Sequence, residues 1–476
     1  MINKKDEAFR SFALSAHPLR LLLVVCGPLA IYQAFQQIFT ILDTMMAAHV
    51  SADAVSSIAV LAQITLMIKA LGSGLAVGGS IQISDAYGQR DYELVQRRTS
   101  TLYALAVGLS LLLAVTIIPF AVPFLRLLNT PESLIQVGAG YFRVQMLDLI
   151  VSFFNTVFIA VERSRGHSRQ IMFLNLVVIL VKLGLSALFI YVLDCGVIMI
   201  AVATLISQLT LLGYALFRMP RDEGAFRFSS RMIQMKKAIL GPILKLSYPV
   251  AAEKMLFAAG KVLVNSMAGG YGPLTAGALG VSNNIGGLTT NWHAGMLDGA
   301  SAMISQNRGA KAYRRTRQLF WWLLLVDVGI GLLGFTLVSL SLPALASVFA
   351  QSKSQFDPAF RDMIVDIHRW EMIGYVTLGI HSAVNALMLG YKMGKSALVL
   401  NMLRIFVFRI PVLWALQRWS NLGVEAVGVT MMVSNVSSGV ISLLALIPVL
   451  RKIRRLEAEQ GREDPNQTQQ EEATCS

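Results

Sequence analysis

The residues that could do chemistry in this chain are ionisable side chains set within long apolar stretches. They are Asp43, Lys69, Asp148, Lys182, Glu253, Lys254, Lys261, His293, Asp298, Asp327, His381, Arg404 and Arg409. An ionisable group inside a membrane span is costly unless it is paired or hydrated, so it marks a polar interior. Groups of this kind bind protons, ions or charged substrates, and we expect several of them to line an aqueous cavity.

The first apolar stretch ends at a carboxylate that suits ion binding. Gln36 and Thr40 precede Asp43 by seven and three residues, a spacing that places all three on one helical face. This stripe suits a proton or a small cation, and the alternative is a carboxylate at the outer membrane interface. Lys182 lies midway along the fifth stretch and needs an anion. Asp43 is its candidate partner, either for ion coupling or as a structural salt bridge.

The second half of the chain carries a polar face of its own. Glu253 and Lys261 lie two turns apart on one face of the seventh stretch, where they either bind a charged substrate or form part of a packing pair. The full set that we predict for a substrate cavity is Glu253, Lys261, Lys69, Gln63, Asn284, His293 and Asp298. The other buried charges, Asp148, Asp327, Arg404 and Arg409, are expected to pair within a lobe.

The motifs of enzymes are absent from the sequence. Residues 390–396 read GYKMGKS, but a phosphate-binding loop has four residues between its glycines and follows a strand. There is no HExxH, no Cys/His metal spacing and no GxSxG turn. We therefore predict that the chain is not an enzyme and uses no cofactor beyond a coupling ion, H⁺ or Na⁺.

The elements that position these side chains are twelve apolar segments, each long enough to span a bilayer. They lie near residues 18–42, 54–82, 99–123, 136–160, 170–193, 196–217, 244–268, 275–303, 318–350, 363–389, 396–416 and 424–450. Hydrophobic residues make up 55% of the chain and charged residues 14%, whereas soluble domains have about 25% charged residues. The prediction is an all-α integral membrane protein with twelve transmembrane helices in two pseudo-symmetric six-helix lobes.

The net charge of +14 reflects membrane topology and not a nucleic-acid partner. Cations cluster at both termini and in every second loop, whereas the opposite loops hold Arg126, Lys353, Arg361 and Arg418. By the positive-inside rule both termini are cytoplasmic, as expected for a multi-pass protein of the cell (plasma or inner) membrane. The first apolar run has full length and no small-residue cleavage site, which predicts an uncleaved helix. The three cysteines predict no disulfide framework.

The two halves are related by an internal repeat. A shift of 221 residues aligns Pro28 with Pro249, Gln63 with Asn284, Gly74 with Gly295, Gly78 with Gly299 and Gly88 with Gly309. Because each half has six helices, the repeat is parallel, about an axis along the membrane normal. The predicted parts are an N-terminal segment 1–17, an N-lobe 18–217, a linker 218–243, a C-lobe 244–450 and a tail 451–476. The paired glycines predict close helix packing, with a pivot surface as the alternative.

The order of these motifs resembles the multidrug and toxic compound extrusion (MATE) family, of the multidrug/oligosaccharidyl-lipid/polysaccharide flippase superfamily. The resemblance rests on DTMMAAHVSADAVSSIAVLAQ from Asp43, SDAYGQRDYELVQRR from Ser84 and SQNRGAKAYRRTRQ from Ser305. It implies two six-helix lobes that export amphipathic, often cationic compounds in exchange for sodium or protons. It also implies that Asp43 matches the first-helix aspartate of the family, and that Asn175 matches a fifth-helix asparagine that supports it.

The chain departs from the family at Lys182, where relatives often have a second carboxylate. A fixed ammonium disfavours a bound sodium ion by repulsion, so Lys182 either replaces the ion as counter-charge to Asp43 or shifts the coupling toward protons. Lys69, Lys182 and Lys261 also suit an anionic substrate.

The leading hypothesis is a monomeric, ion-coupled efflux antiporter whose partners are a small-molecule substrate and membrane lipids. The alternatives are a flippase for a lipid-linked precursor or an exporter of an anionic metabolite. A membrane receptor or scaffold ranks last because the loops are short.

Overall fold

The computed structural model describes residues 4–50, 52–127, 132–196, 198–222, 224–350 and 357–463. The side chains of residues 43–45, 47–50, 52–60, 62 and 63, and of a few residues near other segment ends, are outside this description. The predictions for Asp43 and Gln63 therefore lie outside the described side chains. The part of the chain that is described consists of helices joined by short turns, without a strand.

Twelve helical units follow a short N-terminal helix, α1 (Lys4–Ser15). The first six are α2 (Pro18–Val50), α3 (Ala52–Gly88), α4 (Tyr92–Ile117) with the short α5 (Ala121–Leu127), α6 (Glu132–Ser164), α7 (Ser168–Ala187) and α8 (Ile198–Arg218). The second six are α9 (Lys237–Ala268), α10 (Pro273–Gly309), α11 (Tyr313–Phe349), α12 (Pro358–Glu371) with α13 (Tyr375–Gly390), α14 (Gly394–Met402) with α15 (Ile410–Trp419), and α16 (Glu425–Glu463). The predicted all-α fold of twelve helices in two lobes is confirmed.

Within the described residues, ten of the twelve units are long and apolar enough to cross a membrane. The two others are α9 and α10, which carry Glu253, Lys254 and Lys261 and a series of asparagines, respectively. Their lower hydropathy has a structural reason, because one face of each helix lines a polar cavity. Hydropathy alone therefore underestimates the number of spans where a helix lines a polar cavity.

Some helices extend beyond the predicted boundaries. Helix α9 begins at Lys237, inside the predicted linker, and α16 continues past residue 450 to Glu463, inside the predicted tail. The predicted boundaries lie where the apolar residues end. A helix satisfies its hydrogen bonds within its own backbone, so it can extend beyond the membrane into water. The linker itself contains two single turns, Met219–Arg221 and Ser230–Met232.

The matched glycines lie where the two lobes meet. Helix α3 packs on α9, and α2 packs on α10. The close approaches are Gly74 to Ala251 and Gly295 to Ala30, Gly78 to Ser247 and Gly299 to Cys26, and Gly88 to Gln306 and Gly309 to Asp85. Each pair becomes its counterpart by the 221-residue shift, as 251 − 30 = 221 and 306 − 85 = 221 show. The lobes are thus related by a pseudo-twofold axis, and a Cβ at Gly88 or Gly309 would overlap a backbone carbonyl.

One end of the helices, which we call the basic face, is formed by the helix ends at Gly88, Ser164, Gly309 and Gly390. Helix α1 lies across it. Phe9 packs against the apolar cores of both lobes, Arg10 Nη2 donates to Gly88 O at 2.8 Å, and Asn307 Nδ2 donates to Ala13 O at 3.2 Å. The N-terminal segment therefore joins the two lobes at this face.

A buried arginine organises the basic face of the N-lobe. The guanidinium of Arg165 contacts Asp6 at 3.3 Å, Glu162 at 3.1 Å and Asp222 at 3.1 Å. Burial acts to raise the pKa of Asp222, but the hydrogen bond and charge of Arg165 outweigh it and lower that pKa below 3.8. Arg165 thus links α1, the end of α6 and the linker through one cation.

Candidate functional site

A polar cavity of about 420 Å³ lies within the C-lobe. Its walls come from α9, α10, α12, α13, the α14–α15 unit and α16. The polar lining residues are Glu253, Lys254, Lys261, Asn283, Asn291, His293, Glu371, His381, Ser382, Asn385, Asn401, Arg404, Arg409 and Asn435. A cavity with this many charged and amide groups must be hydrated or hold a polar ligand. Three of the residues that the sequence predicts for a substrate cavity, Glu253, Lys261 and His293, meet here.

A chain of hydrogen bonds connects Glu253 to α16. Asn401 Nδ2 donates to Glu253 Oε1 at 2.9 Å, and Asn401 Oδ1 lies 3.1 Å from His381 Nε2. Because that amide oxygen only accepts, His381 Nε2 carries a proton. In the neutral ring His381 Nδ1 then accepts from Ser442 Oγ at 2.8 Å. Asn401 thereby couples two titratable groups that lie on different helices.

A second titratable pair lies between α10 and α11. His293 Nδ1 and Asp327 Oδ1 are 3.0 Å apart, and the two side chains are 4% and 0% exposed. Ser382 Oγ holds the backbone of α10 by donating to His293 O at 3.0 Å. A Cβ at Gly379 would overlap Asp327 O, so this glycine lets α13 approach the pair. His293 Nε2 has no partner among the described residues, and it is available to a proton or a ligand from the cavity.

Glu371 lies in a third network at the cavity. Ser282 Oγ donates to Glu371 Oε2 at 2.5 Å and lies 2.8 Å from His368 Nδ1. His368 Nε2 lies 2.8 Å from the Tyr375 hydroxyl. Since the serine proton goes to Glu371, His368 Nδ1 must donate to Ser282 Oγ. Glu371 is therefore held by Ser282 of α10 and His368 of its own helix, α12.

A smaller polar cavity, of about 220 Å³, lies within the N-lobe. Five residues predicted to bind ions or substrate line it, namely Gln36, Thr40, Lys69, Asn175 and Lys182, together with Thr204, Ser207 and Gln208. Asn175 Nδ2 donates to Ile171 O at 2.8 Å, within its own helix. The structure thus brings the predicted first-helix and fifth-helix residues into one site, whereas the proposed pairing of Lys182 with Asp43 stays a prediction.

Lys69 is neutralised by a carboxylate of the same lobe. Its ammonium lies 2.6 Å from Asp148 Oδ2, and the Asp148 side chain is fully buried. Asp148 pairs with Lys69, and Asp327 pairs with His293, as expected for pairs within a lobe. Arg404 and Arg409 form no ion pair among the described residues, and Glu371 acts on both only at longer range.

Two residues predicted for the substrate cavity lie elsewhere, at the interface between lobes. Asp298 Oδ2 forms an ion pair with Arg163 Nη1 at 2.9 Å. Asn284 O accepts from Gln37 Nε2 at 3.2 Å. Their positions on α10 turn them toward the N-lobe and away from the C-lobe cavity, so their contacts hold the lobes together.

Several residues of the site escaped the sequence analysis. Glu371 lies at the end of α12, and Asn435 and Asn385 are neutral amides. A search for ionisable groups in the centres of apolar segments finds neither an ionisable residue at the end of a helix nor a neutral amide. Amide residues repeated on the face that carries an ionisable group would have been the useful signal.

Comparisons with known proteins agree with this architecture. The profile of the MatE family matches residues 28–188 and 249–415. Two Bacillus subtilis (strain 168) proteins, the probable multidrug resistance proteins YoeA and YpnP, are each 22% identical, over 84% and 86% of this chain and 88% and 90% of their own length.

Two solved structures share the fold. An outward-facing multidrug resistance MATE transporter of the MOP superfamily superposes with TM-score 0.87 at 19% identity, over 96% of this chain and 99% of its own. A MOP superfamily transporter from Pyrococcus furiosus Vc1 superposes with TM-score 0.88 at 19% identity and the same coverage. Its binding pocket is described as having reverse polarity, which suggests a different function for it.

Proposed function

Because the chain belongs to the MatE family and is a multi-pass membrane transporter of the efflux type, we propose that it is a monomeric secondary antiporter. It exports small amphipathic molecules by alternating access, and its basic face lies on the cytoplasmic side of the cell membrane. The names of the two Bacillus subtilis relatives support drug-like compounds as substrates.

The observation that carries this proposal is the distribution of contacts between the lobes. Near the basic face, Arg163 pairs with Asp298 at 2.9 Å and Lys392 Nζ lies 2.6 Å from Asp85 Oδ2. Among the contacts described above, the one farthest from that face along α2 and α10 is Gln37 with Asn284. A transporter closed at its basic face, with a polar cavity in each lobe, must break these pairs to open inward.

The coupling ion that the geometry favours is the proton. Glu253 and His381 share Asn401 as a bridge, and the His293–Asp327 pair leaves a ring nitrogen available at the cavity. Imidazole and carboxylate groups that change partners can take up and release protons during a transport cycle. Sodium remains the alternative for the N-lobe cavity, where Gln36, Thr40 and Asn175 supply oxygen ligands.

The proposed function is tested by the efflux of a cationic dye, ethidium, and an anionic dye, fluorescein, from pump-deficient bacteria that express the chain. We expect efflux that stops with a protonophore and in His293→Gln, and that is unchanged by removal of sodium. Efflux that needs sodium and resists the protonophore would assign the coupling to sodium. The absence of efflux from a well-expressed wild type would contradict the proposal that the chain exports drug-like compounds. Arg418→Gln, an exposed cation on α15, is the matched control and should keep full activity.

Alternating access is tested separately with cysteines at Arg163 and Asp298, in a chain whose own three cysteines are replaced by serine. A short bifunctional thiol reagent should lock the basic face and stop efflux. A pair at Lys395 and Arg454, which are surface positions within the C-lobe, should leave efflux unchanged under the same treatment. Efflux that continues in the fully cross-linked first variant would contradict alternating access through this face.

A further inference from the structure

We propose that the C-lobe cavity binds the anionic group, a carboxylate or a phosphate, of a small amphipathic organic anion through Arg404, Arg409 and Lys261. This inference rests on the proposed function, since it names the substrate class of that transporter. The cavity contains three cations that form no ion pair among the described residues.

The eleventh unit is broken where the two arginines lie. Helix α14 ends at Met402, a π-helical turn covers Leu403–Val407, and α15 starts at Ile410 with Pro411 in its first turn. Proline has no backbone N–H and cannot continue the preceding helix. Single π turns and interrupted spans occur at functional sites, because the irregular backbone must line a polar cavity. Here the break carries two guanidinium groups, those of Arg404 and Arg409, which both line the cavity.

The two guanidinium groups lie close together and share a neutral partner. Arg404 Nη2 and Arg409 Nη2 donate to the same atom, Asn435 Oδ1, at 2.8 and 3.2 Å. Arg409 Nε also donates to Ser434 Oγ at 3.2 Å. An amide oxygen and a hydroxyl orient these groups, but neither neutralises a charge. Arg409 is 2% exposed, so water does little to screen it.

A third cation completes the cluster. Lys261 Nζ lies 5.3 Å and Arg404 Cζ 5.4 Å from the ring centroid of Phe257. Contact with a ring face attracts each cation but supplies no ion pair, and Glu371 acts on the three cations only at longer range. Within the described part of the chain, no carboxylate forms an ion pair with any of the three cations.

The carboxylates of the cavity are engaged elsewhere. Glu371 accepts from Ser282 and lies 3.6 Å from His368 Nδ1. Glu253 accepts from Asn401, and Lys254 is the cation that acts on its charge. Asp327 pairs with His293. Buried cations need a counter-charge, and the counter-charge that this cavity lacks can be supplied by a ligand.

The chemistry of the cluster defines that ligand. Paired guanidinium forks bind the planar or tetrahedral oxygens of carboxylates and phosphates through two parallel hydrogen bonds. Arg404 Nε is buried and has no partner among the described atoms, so a further donor is available. Phe257, Leu378 and Met431 line the same cavity of about 420 Å³, which provides an apolar surface for the body of the molecule. An amphipathic organic anion satisfies both parts.

The test compares two dyes that share a xanthene ring system, the anion fluorescein and the cation rhodamine 123. Fluorescence anisotropy is measured on the purified full chain in phosphatidylcholine nanodiscs without an ion gradient. We expect fluorescein to bind and rhodamine 123 to bind more weakly. Arg404→Gln and Arg409→Gln should each weaken fluorescein binding about tenfold, the loss of one hydrogen bond to a charged group. Arg404→Lys should keep most of the affinity, and Arg418→Gln, exposed on the same unit, all of it.

The results that overturn the proposal are equally specific. Wild type that binds rhodamine 123 but not fluorescein, or fluorescein binding unchanged in Arg404→Gln and Lys261→Met, removes the anion site. If Arg409→Gln does not fold, Arg404→Gln and Lys261→Met decide alone. Nanodiscs that contain phosphatidylglycerol should leave fluorescein binding unchanged. Loss of binding there would show that the cluster holds a lipid headgroup and no soluble substrate.

This test separates the inference from the proposed function. Binding is measured on purified protein at equilibrium, whereas efflux is measured in cells with a gradient. Anion binding that depends on Arg404 in a chain without efflux of either dye would support the site and contradict export. Efflux of ethidium that is unaffected by Arg404→Gln, with no fluorescein binding, would do the opposite.

Discussion

The two lobes share one ancestral register but use it for different electrostatics. In the N-lobe the one cation of α3 at the cavity, Lys69, is neutralised by Asp148 at 2.6 Å. In the C-lobe Arg404 and Arg409 share an amide oxygen and have no described carboxylate partner. The difference indicates that the C-lobe cavity is built to receive charge, whereas the N-lobe cavity is built mainly from hydrogen-bonding groups.

Positions related by the repeat show how this divergence arose. A shift of 221 residues places Glu253 where the N-lobe has Tyr32, and Lys261 where it has Thr40. Asn401, related to Asn175 by a shift of 226, keeps the bond to the carbonyl four residues earlier in its own helix. It also bridges Glu253 and His381. Helix register is thus fixed by packing, while the groups that face the cavity can change.

At the basic face the cation of the N-lobe has more carboxylate neighbours than the cation of the C-lobe. Removal of the N-lobe cation is therefore expected to have the largest effect. Arg165 in the N-lobe is surrounded by Asp6, Glu162 and Asp222, whereas Lys392 in the C-lobe pairs with Asp85. Arg165→Gln leaves this cluster of carboxylates without the guanidinium that they share, and we expect a loss of about 3 to 5 kcal/mol in the free energy of unfolding. Lys392→Gln should lose less, because Arg308 also lies within 3.9 Å of Asp85.

The pH dependence sharpens this first prediction. In the wild type the lowered pKa of Asp222 makes its stabilising effect present above pH 3.8 and lost as the pH falls through its folded pKa. Without Arg165 the carboxylates bind protons more readily, so the penalty of Arg165→Gln should be larger at pH 8 than at pH 5. Thermal unfolding in detergent at both values measures this, and an equal penalty at both would contradict the role of the arginine as counter-charge.

The second prediction contrasts a paired with an unpaired cation. Lys69→Met leaves Asp148 buried without its ion pair, which should destabilise the protein by about 3 kcal/mol. Arg404→Met removes a cation that no described carboxylate needs, so its effect on unfolding should stay within about 1 kcal/mol. Unfolding curves of the two variants in the same detergent decide the point. A larger loss for Arg404→Met would mean that the C-lobe cations stabilise the fold instead of awaiting a ligand.

The elements were predictable from the sequence, whereas the pairings were not. Span length and hydropathy predict twelve helices, and glycines such as Gly88 and Gly309 mark the lobe interface because a repeated small residue has a steric reason. The partners of Lys69 and Asp298 depend on which helices meet after folding, at separations of 79 residues in the first case. The break at Leu403–Val407 leaves no pattern in hydropathy, and Asn435 is neutral, so a search for buried charge passes over it.

The third prediction concerns the related asparagines. Asn401→Ala removes the bridge and leaves the buried atoms Glu253 Oε1 and His381 Nε2 without the amide that they share, so we expect a loss of about 2 kcal/mol in the free energy of unfolding. Asn175→Ala removes a bond to a carbonyl of its own helix, and about 0.5 kcal/mol is expected. Asn401→Asp is a further variant, which should destabilise more at pH 8 than at pH 5 because its carboxylate faces Glu253. Equal losses for the two alanine variants would show that the bridge contributes nothing.

The smallest expected effect comes from making the cavities alike. Lys261→Thr gives the C-lobe the residue that the N-lobe has at Thr40, and it should weaken fluorescein binding by less than about tenfold, since the two arginines remain. Thr40→Lys gives the N-lobe the reciprocal cation, and it should create no new anion site, because that cavity lacks the arginine pair. Anisotropy titrations of both variants measure the contrast. If Thr40→Lys alone strengthened fluorescein binding as much as Lys261→Thr weakened it, a single cation would set anion affinity in either lobe, and the broken helix of the C-lobe would have no special part in recognition.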